Sequence, residues 1–588
     1  MRRSILLVAS LALCLALTVP SAVTSANSPA TTPVQQHVFQ ALPNQVASGD
    51  TTRTSTVLWA RSNNRGPVFF FVSTDSDFTN SRSILRILRA DVTQPSVPVK
   101  VQVDGLEPGT RYFYLVSDSR LRLSAGRFAT AASRNTFAGL RFGVSGDWRG
   151  ELAPYPSISN ADARGLDFFV SLGDTIYADV PSPAVPQPQA ETLEEFRAKQ
   201  NEVYSAVFGL NTLGDLRAST SILATIDDHE VTNDFAGGAH ASSDPRFDQF
   251  GDVLINDTPL FDNGLRAFQE YNPLRNEFYG NTGDARTAGE RKLYRFRSYG
   301  SNAAAFVLDP RSFRDRELTP ANLANPADVA RFLIESFNPA RTMLGAQQLQ
   351  DLKDDLLRAQ QAGVTWKFVM VAEPIQNLGP LAAADRFEGY AAERTQLLKF
   401  INENGIQNVV FIAADLHGTL VNNLTYQEVP FGPQIPTGAW EIVTGAVAYD
   451  APFGPTVVNI GAALGLITPA QLAFYNSLPV ANDPDDFPND KDDFLKGLIN
   501  TQIAPLNYDP LGLNGSPIAA TLLQGDYIAV HTYGWSEFRL NRQTQQLRVT
   551  TFGIPPYTRA ELLANPPAVV SRVPQVVSQF VVEPVGVY

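Results

Sequence analysis

The 588-residue chain contains one cysteine, Cys14, and five histidines. Cys14 lies in an apolar N-terminal segment with the layout of a removable leader, so the mature chain has no disulfide or thiol, and its stability must come from packing and bound metals. Basic charge is also in deficit. Lys and Arg number 46 against 59 Asp and Glu, giving a net charge of −13. This disfavours non-specific binding to nucleic acid or anionic membrane, because a polyanion is repelled over most of the surface. No nucleic-acid-binding module is evident. The longest apolar run, Ile5 to Val19, is too short to span a bilayer comfortably, so no transmembrane segment is expected in the mature chain. No internal repeat is found.

What is present points to an exported globular protein of more than one domain. Hydrophobic residues make up 44% and charged residues 18% of the chain, which is ample material for large cores. Arg2 and Arg3, the apolar run and Thr24-Ser25-Ala26 have the layout of a signal peptide over residues 1–26. Export to the periplasm or the exterior, by the Sec or twin-arginine route, is the resulting expectation. From about 36 to 130 the pattern is short alternating strands, with Val97, Val99, Val101 and Val103 on one face and turns at Asp104-Gly105 and Pro108-Gly109. This reads as a small all-β module of immunoglobulin or fibronectin type, a packing unit without chemistry of its own.

From 136 to 588 apolar strands alternate with helical stretches. Strands are expected at Leu140 to Val144, Leu166 to Leu172, Ile222 to Ile226, Ala304 to Leu308, Lys367 to Val371 and Val409 to Ala413, and amphipathic helices at Thr192 to Phe208 and Leu344 to Gln361. The fold class is α/β, a two-sheet sandwich flanked by helices. Pro181 to Pro188 reads as a rim or lid. Gly237 to Asp262 and Asn482 to Asp493 read as polar surface excursions, and the acids Asp483, Asp485, Asp486, Asp490, Asp492 and Asp493 as a solvated loop. Their spacing does not fit an EF-hand, and Pro484 and Pro488 interrupt it.

The chemistry collects after four of these strands. Asp147, the run Gly173-Asp174-Thr175-Ile176-Tyr177, the run Asp227-Asp228-His229-Glu230 and the run Asp415-Leu416-His417 each follow an apolar stretch directly. That arrangement gathers oxygen and nitrogen donors at one sheet edge, where open α/β folds hold ligands. Carboxylates, imidazoles and a phenol suit hard or borderline cations, and two such ions can polarise a phosphoryl oxygen and activate water. Asp174 is suited to bridging two ions. Tyr177 favours a strongly Lewis-acidic ion such as iron(III), because a free phenol ionises only near pH ~10. Asp415 and His417 alternate on an expected extended segment and so should point the same way, His417 as ligand and Asp415 as its support. His531 ends the apolar strand Tyr527 to Val530 and reads equally as a ligand or as a satisfied core histidine. Arg149 is the candidate phosphate clamp, since a guanidinium fork matches two phosphoryl oxygens. Arg311 and Arg314 read as structural ion-pair partners, and His37 and His240 as solvated.

These residues also carry a resemblance. The order of Gly-Asp-x-x-Tyr at 173–177 and Asp-Asp-His-Glu at 227–230 resembles the alkaline phosphatase D (PhoD-like) family of metallophosphoesterases, whose site is related to that of purple acid phosphatases. Further matching stations are 46–50, 103–110, 308–314, 343–348 and 389–394. The resemblance implies that Asp228 takes a metal-binding asparagine's place and that His229 protonates the leaving oxygen or steadies the transition state. It also implies a binuclear or larger centre, iron(III) with calcium as second ion, zinc or another divalent ion being the alternatives. Two departures stand out. Arg149 occupies the place of a metal-binding histidine in an Asp-x-His motif, and Ser145 and Gly146 stand near the position of a cysteine ligand.

The resulting expectation is a hydrolase of small-molecule phosphate monoesters, serving phosphate acquisition. A hydroxide on ions held by Asp147, Asp174, Tyr177, Asp228, His417 and optionally His531 would attack phosphorus, with His229, Arg149 and Asp415 as catalytic groups. A phosphodiesterase or phospholipase D-like enzyme on the same site, or an inactive extracellular binding protein, are the rival readings. The sequence leaves the oligomeric state open.

Overall fold

The computed structural model describes residues 41–78, 83–480 and 483–586, so the leader and His37 lie outside the described residues. Short apolar runs become strands buried on both faces. Leu140–Ser145, Phe168–Leu172 and Ser221–Thr225 pair in parallel, in register through Val144↔Val170 and Val170↔Leu223. Such burial explains why they read as continuous rather than alternating apolar runs. They form the centre of a ten-stranded sheet ordered Ala520–Gln524, Gln575–Val582, Leu547–Ile554, Tyr533–Leu540, Leu140–Ser145, Phe168–Leu172, Ser221–Thr225, Val46–Gly49, Ser55–Ala60, Val99–Asp104.

A second sheet of seven strands runs Arg295–Tyr299, Ala303–Val307, Trp366–Met370, Val409–Ala413, Ile435–Val443, Thr419–Tyr426, Ile528–Ala529. The two sheets face each other across one apolar layer. Phe142 stacks on Phe168 at 4.7 Å and on Phe538 at 4.8 Å, and meets the edge of Phe368 from the other sheet at 4.9 Å. Helices cover the outer faces. Leu193–Tyr204 starts at Thr192 with a capping box closed by Glu195, and Ala346–Gln361 buries Leu349, Leu352 and Leu356. The α/β class, the two sheets and the preceding all-β module agree with the sequence reading.

The N-terminal module adds an antiparallel four-stranded sheet, Ile84–Val92, Gly66–Ser73, Arg111–Ser117 and Leu123–Ala129. Its other face is continuous with the large sheet. Val46–Gly49 pairs in parallel with Ser221–Thr225 through Ser48↔Ser221 and Gly49↔Ile222. Asp50, the next residue, is fully buried and bonds Arg295 Nε at 2.7 Å and the Arg275 amide at 2.8 Å.

Two expected surface excursions lie at the surface only in part. The segment after Gly237 is threaded into the core by Ala241, Phe247 and Ile255, each 0–1% exposed. A Cβ at Gly237 would lie 2.3 Å from the Ser312 carbonyl oxygen, so glycine is what lets these two backbones touch. In the acid-rich loop, Asp485 and Asp486 are exposed as expected, but Asp490, Asp492 and Asp493 are buried rather than solvated. Asp490 caps the helix Lys491–Ile503 through the amides of Asp492 and Asp493, and Asp492 turns inward to His531. The proline-rich segment after Tyr177 is pinned by buried Val185 and by Lys199 Nζ, which donates to the Ser182 hydroxyl at 2.9 Å. Among the described residues no helix is long and apolar enough to cross a membrane.

Candidate metal centre

Parallel strands of both sheets end at the same place, and the donors sit on the first residues beyond them. The turns there are tight. Asp147, Asp174, Asp415 and His417 have φ of 65°, 47°, 63° and 58°, a region that aspartate tolerates better than most residues. Gly173, at φ 74°, leaves no room for a side chain, since a Cβ would lie 2.4 Å from the Asp227 amide. Glu230 ties the two loops together. Its carboxylate accepts from the amides of Asp174 at 3.1 Å, Thr175 at 2.7 Å and Asp227 at 2.8 Å.

Donor atoms of Asp147, Asp174 and His417 lie within 4.8 Å of one another, and so do those of Asp174, Asp228 and His229. Asp174 is common to both groups, the position a bridging carboxylate would take. Both oxygens of Asp147 and the Tyr177 hydroxyl are buried without a hydrogen-bond partner. Unpartnered buried oxygens cost ~1–3 kcal/mol each, and a cation would satisfy them. The donor chemistry therefore fits a metal centre.

The electrostatics point the same way. Burial, and then the charge of Asp227, raises the Asp147 carboxyl well above the usual range; burial followed by Asp228 does the same to Asp174. Burial with Asp174 and Asp147 likewise holds Tyr177 protonated. Only added positive charge would ionise all three. His417 is pushed down to about 3, by burial and then by His229, so it stays neutral with a lone pair for a ligand. Its Nε2 lies 3.5 Å from Asp147 Oδ1 and its ring stacks on Tyr449 at 3.7 Å. Burial lowers His229, but Asp228 and then the hydrogen bond to Asp179 outweigh it and bring it up to about 9. That bond joins Nδ1 to Asp179 Oδ1 at 2.6 Å.

Three expected roles meet a different geometry. Asp415 does not share a group with His417. The left-handed turns at both residues break the extended alternation, and Asp415 joins Asp227 and Glu373 instead. In that third group Arg311 is interposed, fully buried and bonded to Asp227, to Glu373 and to Asp385 at 2.7 Å, as an ion-pair partner. Arg149 is near the cage, its guanidinium carbon 6.0 Å from the Tyr177 ring, but its fork is taken by Glu151 and by Asp450 at 2.5 Å. His531 is not brought to the cage donors. Its Nδ1 bonds Asp492 at 2.7 Å and its Nε2 bonds the Tyr475 hydroxyl at 2.8 Å, leaving no nitrogen for a metal. His240 is exposed, 3.0 Å from Asp252.

Glu373, Asp385, Asp179 and Tyr449 are the residues sequence reasoning missed. Glu373 was detectable, since it too comes just after a buried strand, Trp366–Met370, at the end of Val371-Ala372-Glu373. The other three lie on loops with no periodic signal. A cavity of about 860 Å³ lined by Arg111, Arg141, Arg539, Arg542 and Arg548 contains none of the cage donors and lies at the opposite, N-terminal ends of the parallel strands.

Two stacked sheets that converge on a buried carboxylate–imidazole cage define an α/β protein built around a candidate metal centre. The profile of the PhoD-like phosphatase family matches residues 143–468, and that of the PhoD-like phosphatase N-terminal domain matches 27–132. The chain therefore belongs to the PhoD-like phosphatase family. It is 29% identical over 411 residues to alkaline phosphatase D of Bacillus subtilis (strain 168), spanning 64% of this chain and 65% of that relative's length. The solved structure of PhoD superposes with a TM-score of 0.62 at 20% identity, covering 94% of this chain and 93% of that one.

Proposed function

We propose that the protein hydrolyses phosphate monoesters at the cage, in the service of phosphate acquisition. The observation that carries this reading is Asp174, shared by two groups, one with Asp147 and His417 as donors and the other with Asp228 beside the proton-bearing His229. Asp147, Asp174, Tyr177, Asp228 and His417 would hold the ions, iron(III) with calcium or another divalent cation. Bound cations would supply positive charge to a phosphoryl oxygen and make a water acidic near neutral pH.

The chain's own groups do the rest. Asp179 holds His229 by Nδ1, which leaves Nε2 to give a proton to the departing alkoxide. Glu230 keeps the loops of Asp174 and Asp227 in register, so the donors hold their spacing. Arg149 faces a phosphoryl oxygen only when Asp450, exposed on its loop, releases it. The test is hydrolysis of a chromogenic monoester beside the matching diester, by wild type and Asp174→Ala. Faster monoester turnover that Asp174→Ala abolishes supports the reading. Full activity in the variant would remove this cage from the reaction.

A further inference from the structure

The acid-rich loop and the helix after it hold a second cluster of donors, apart from the cage. Oxygens of Asp483, Asp485 and Asp493 lie within 4.8 Å of one another, and so do those of Asp486, Asp493 and Asp526. Asp493 belongs to both sets. It is 3% exposed, and neither of its carboxylate oxygens has a hydrogen-bond partner. Asp526, fully buried, has one oxygen in the same condition. Lys496 does not account for this arrangement. Its single ammonium takes one oxygen of Asp486 and, at 2.8 Å, one of Asp526. Lys491 directs its ammonium over the Tyr475 ring, 4.9 Å from the centroid. Five carboxylates thus face one ammonium.

We propose that this cluster is a calcium site, with Asp493 as its central ligand and Asp483, Asp485 and Asp526 as further ligands, Asp486 closing it beside Lys496. All candidate donors are carboxylate oxygens, which selects a hard cation over zinc or copper. Calcium takes ~6–8 oxygens at ~2.3–2.6 Å in irregular geometry, which a loop and a helix turn can supply, whereas magnesium demands an octahedron and keeps its waters.

The ion would pin the N-terminus of the helix Lys491–Ile503. That turn carries Asp492, which holds His531 Nδ1 and the Val530 amide at 3.0 Å. Val530 in turn accepts from the Gly454 amide at 2.9 Å, and the neighbouring Phe453 amide donates to the His417 carbonyl at 2.9 Å. The site therefore braces the wall behind the His417 loop without touching the cage.

Calcium titration of the full chain by calorimetry, with melting temperature read in calcium and in chelator, tests the proposal. Asp493→Asn should bind one calcium fewer per chain than wild type and show a smaller calcium-dependent rise in melting temperature. Added to Asp174→Asn, in which calcium held at the cage is weakened, Asp493→Asn should still remove one bound calcium and the rise that remains, which separates this site from the cage. If Asp493→Asn does not fold, Asp483→Asn combined with Asp485→Asn, on the loop, should lower calcium affinity at least tenfold. Unchanged stoichiometry and affinity in the variant that folds would overturn the site.

Discussion

At Asp147, Asp174 and Tyr177 a proton and a cation compete for the same buried oxygens, and burial with like charge favours the proton until a cation arrives. His229 differs, because two acids hold its charge in place. His229→Gln keeps an amide near Asp179 but supplies no proton, so kcat should fall by roughly 10²–10⁴-fold for alkyl phosphates. The loss should be much smaller for a nitrophenyl ester, whose leaving group needs no acid. Equal losses on both substrates would deny His229 that role. A second single-residue case lies at the far end of the second sheet. Lys367 is buried, its Nζ donating to Gln360 at 2.6 Å and the Gln407 carbonyl at 3.1 Å, and burial lowers its pKa to about 8 from 10.5. Between those values the unfolded chain holds a proton that the native chain has released, so this residue makes stability rise with pH across the window. Below pH 8 the full cost of the buried ammonium remains. Urea unfolding of wild type and Lys367→Met on either side of the window should show the wild type gaining relative to the variant as pH rises; a constant difference would refute the linkage.

Among elements, the strands that carry the site were the most legible part of the chain. Leu140–Ser145, Phe168–Leu172, Ser221–Thr225 and Val409–Ala413 fall within one or two residues of their expected bounds, because a strand buried on both faces must be apolar throughout. The turns at the strand ends were less legible. Asp415 and His417 were expected to alternate, and left-handed turns at both send them to different donor groups. Loop 237–262 looked polar because its glycines and short side chains make backbone contacts, which hydropathy does not register. Phe142 shows what joins the elements, one ring packed against Phe168, Phe538 and Phe368 from both sheets. Phe142→Ala should cost about 3–5 kcal/mol in denaturant unfolding. A loss under about 1 kcal/mol would mean that the layer closes around the gap.

For the molecule as a whole, the N-terminal module shares a sheet with the strands that hold the cage, and the buried Asp50–Arg295 pair lies at that seam. Removing one partner leaves a buried charge uncompensated, so Asp50→Ala should destabilise by about 3–5 kcal/mol. Replacing Asp50 and Arg295 together by apolar residues should recover part of the loss, as denaturation of the single and double variants would show. The sequence by itself determined the α/β class, the all-β module before it, the strand-end placement of Asp147, Asp174, Asp228, His229 and His417, and the family resemblance. Each of these is written in local periodicity or in the spacing of a few residues. Only the tertiary structure decided that His531 faces Asp492 and Tyr475, that Glu151 and Asp450 hold Arg149, that Arg311 sits among Asp227, Glu373 and Asp385, and that Asp493 is buried among other acids. Those outcomes depend on which distant loops meet, and charge partners far apart in the chain leave no mark on the residues between them.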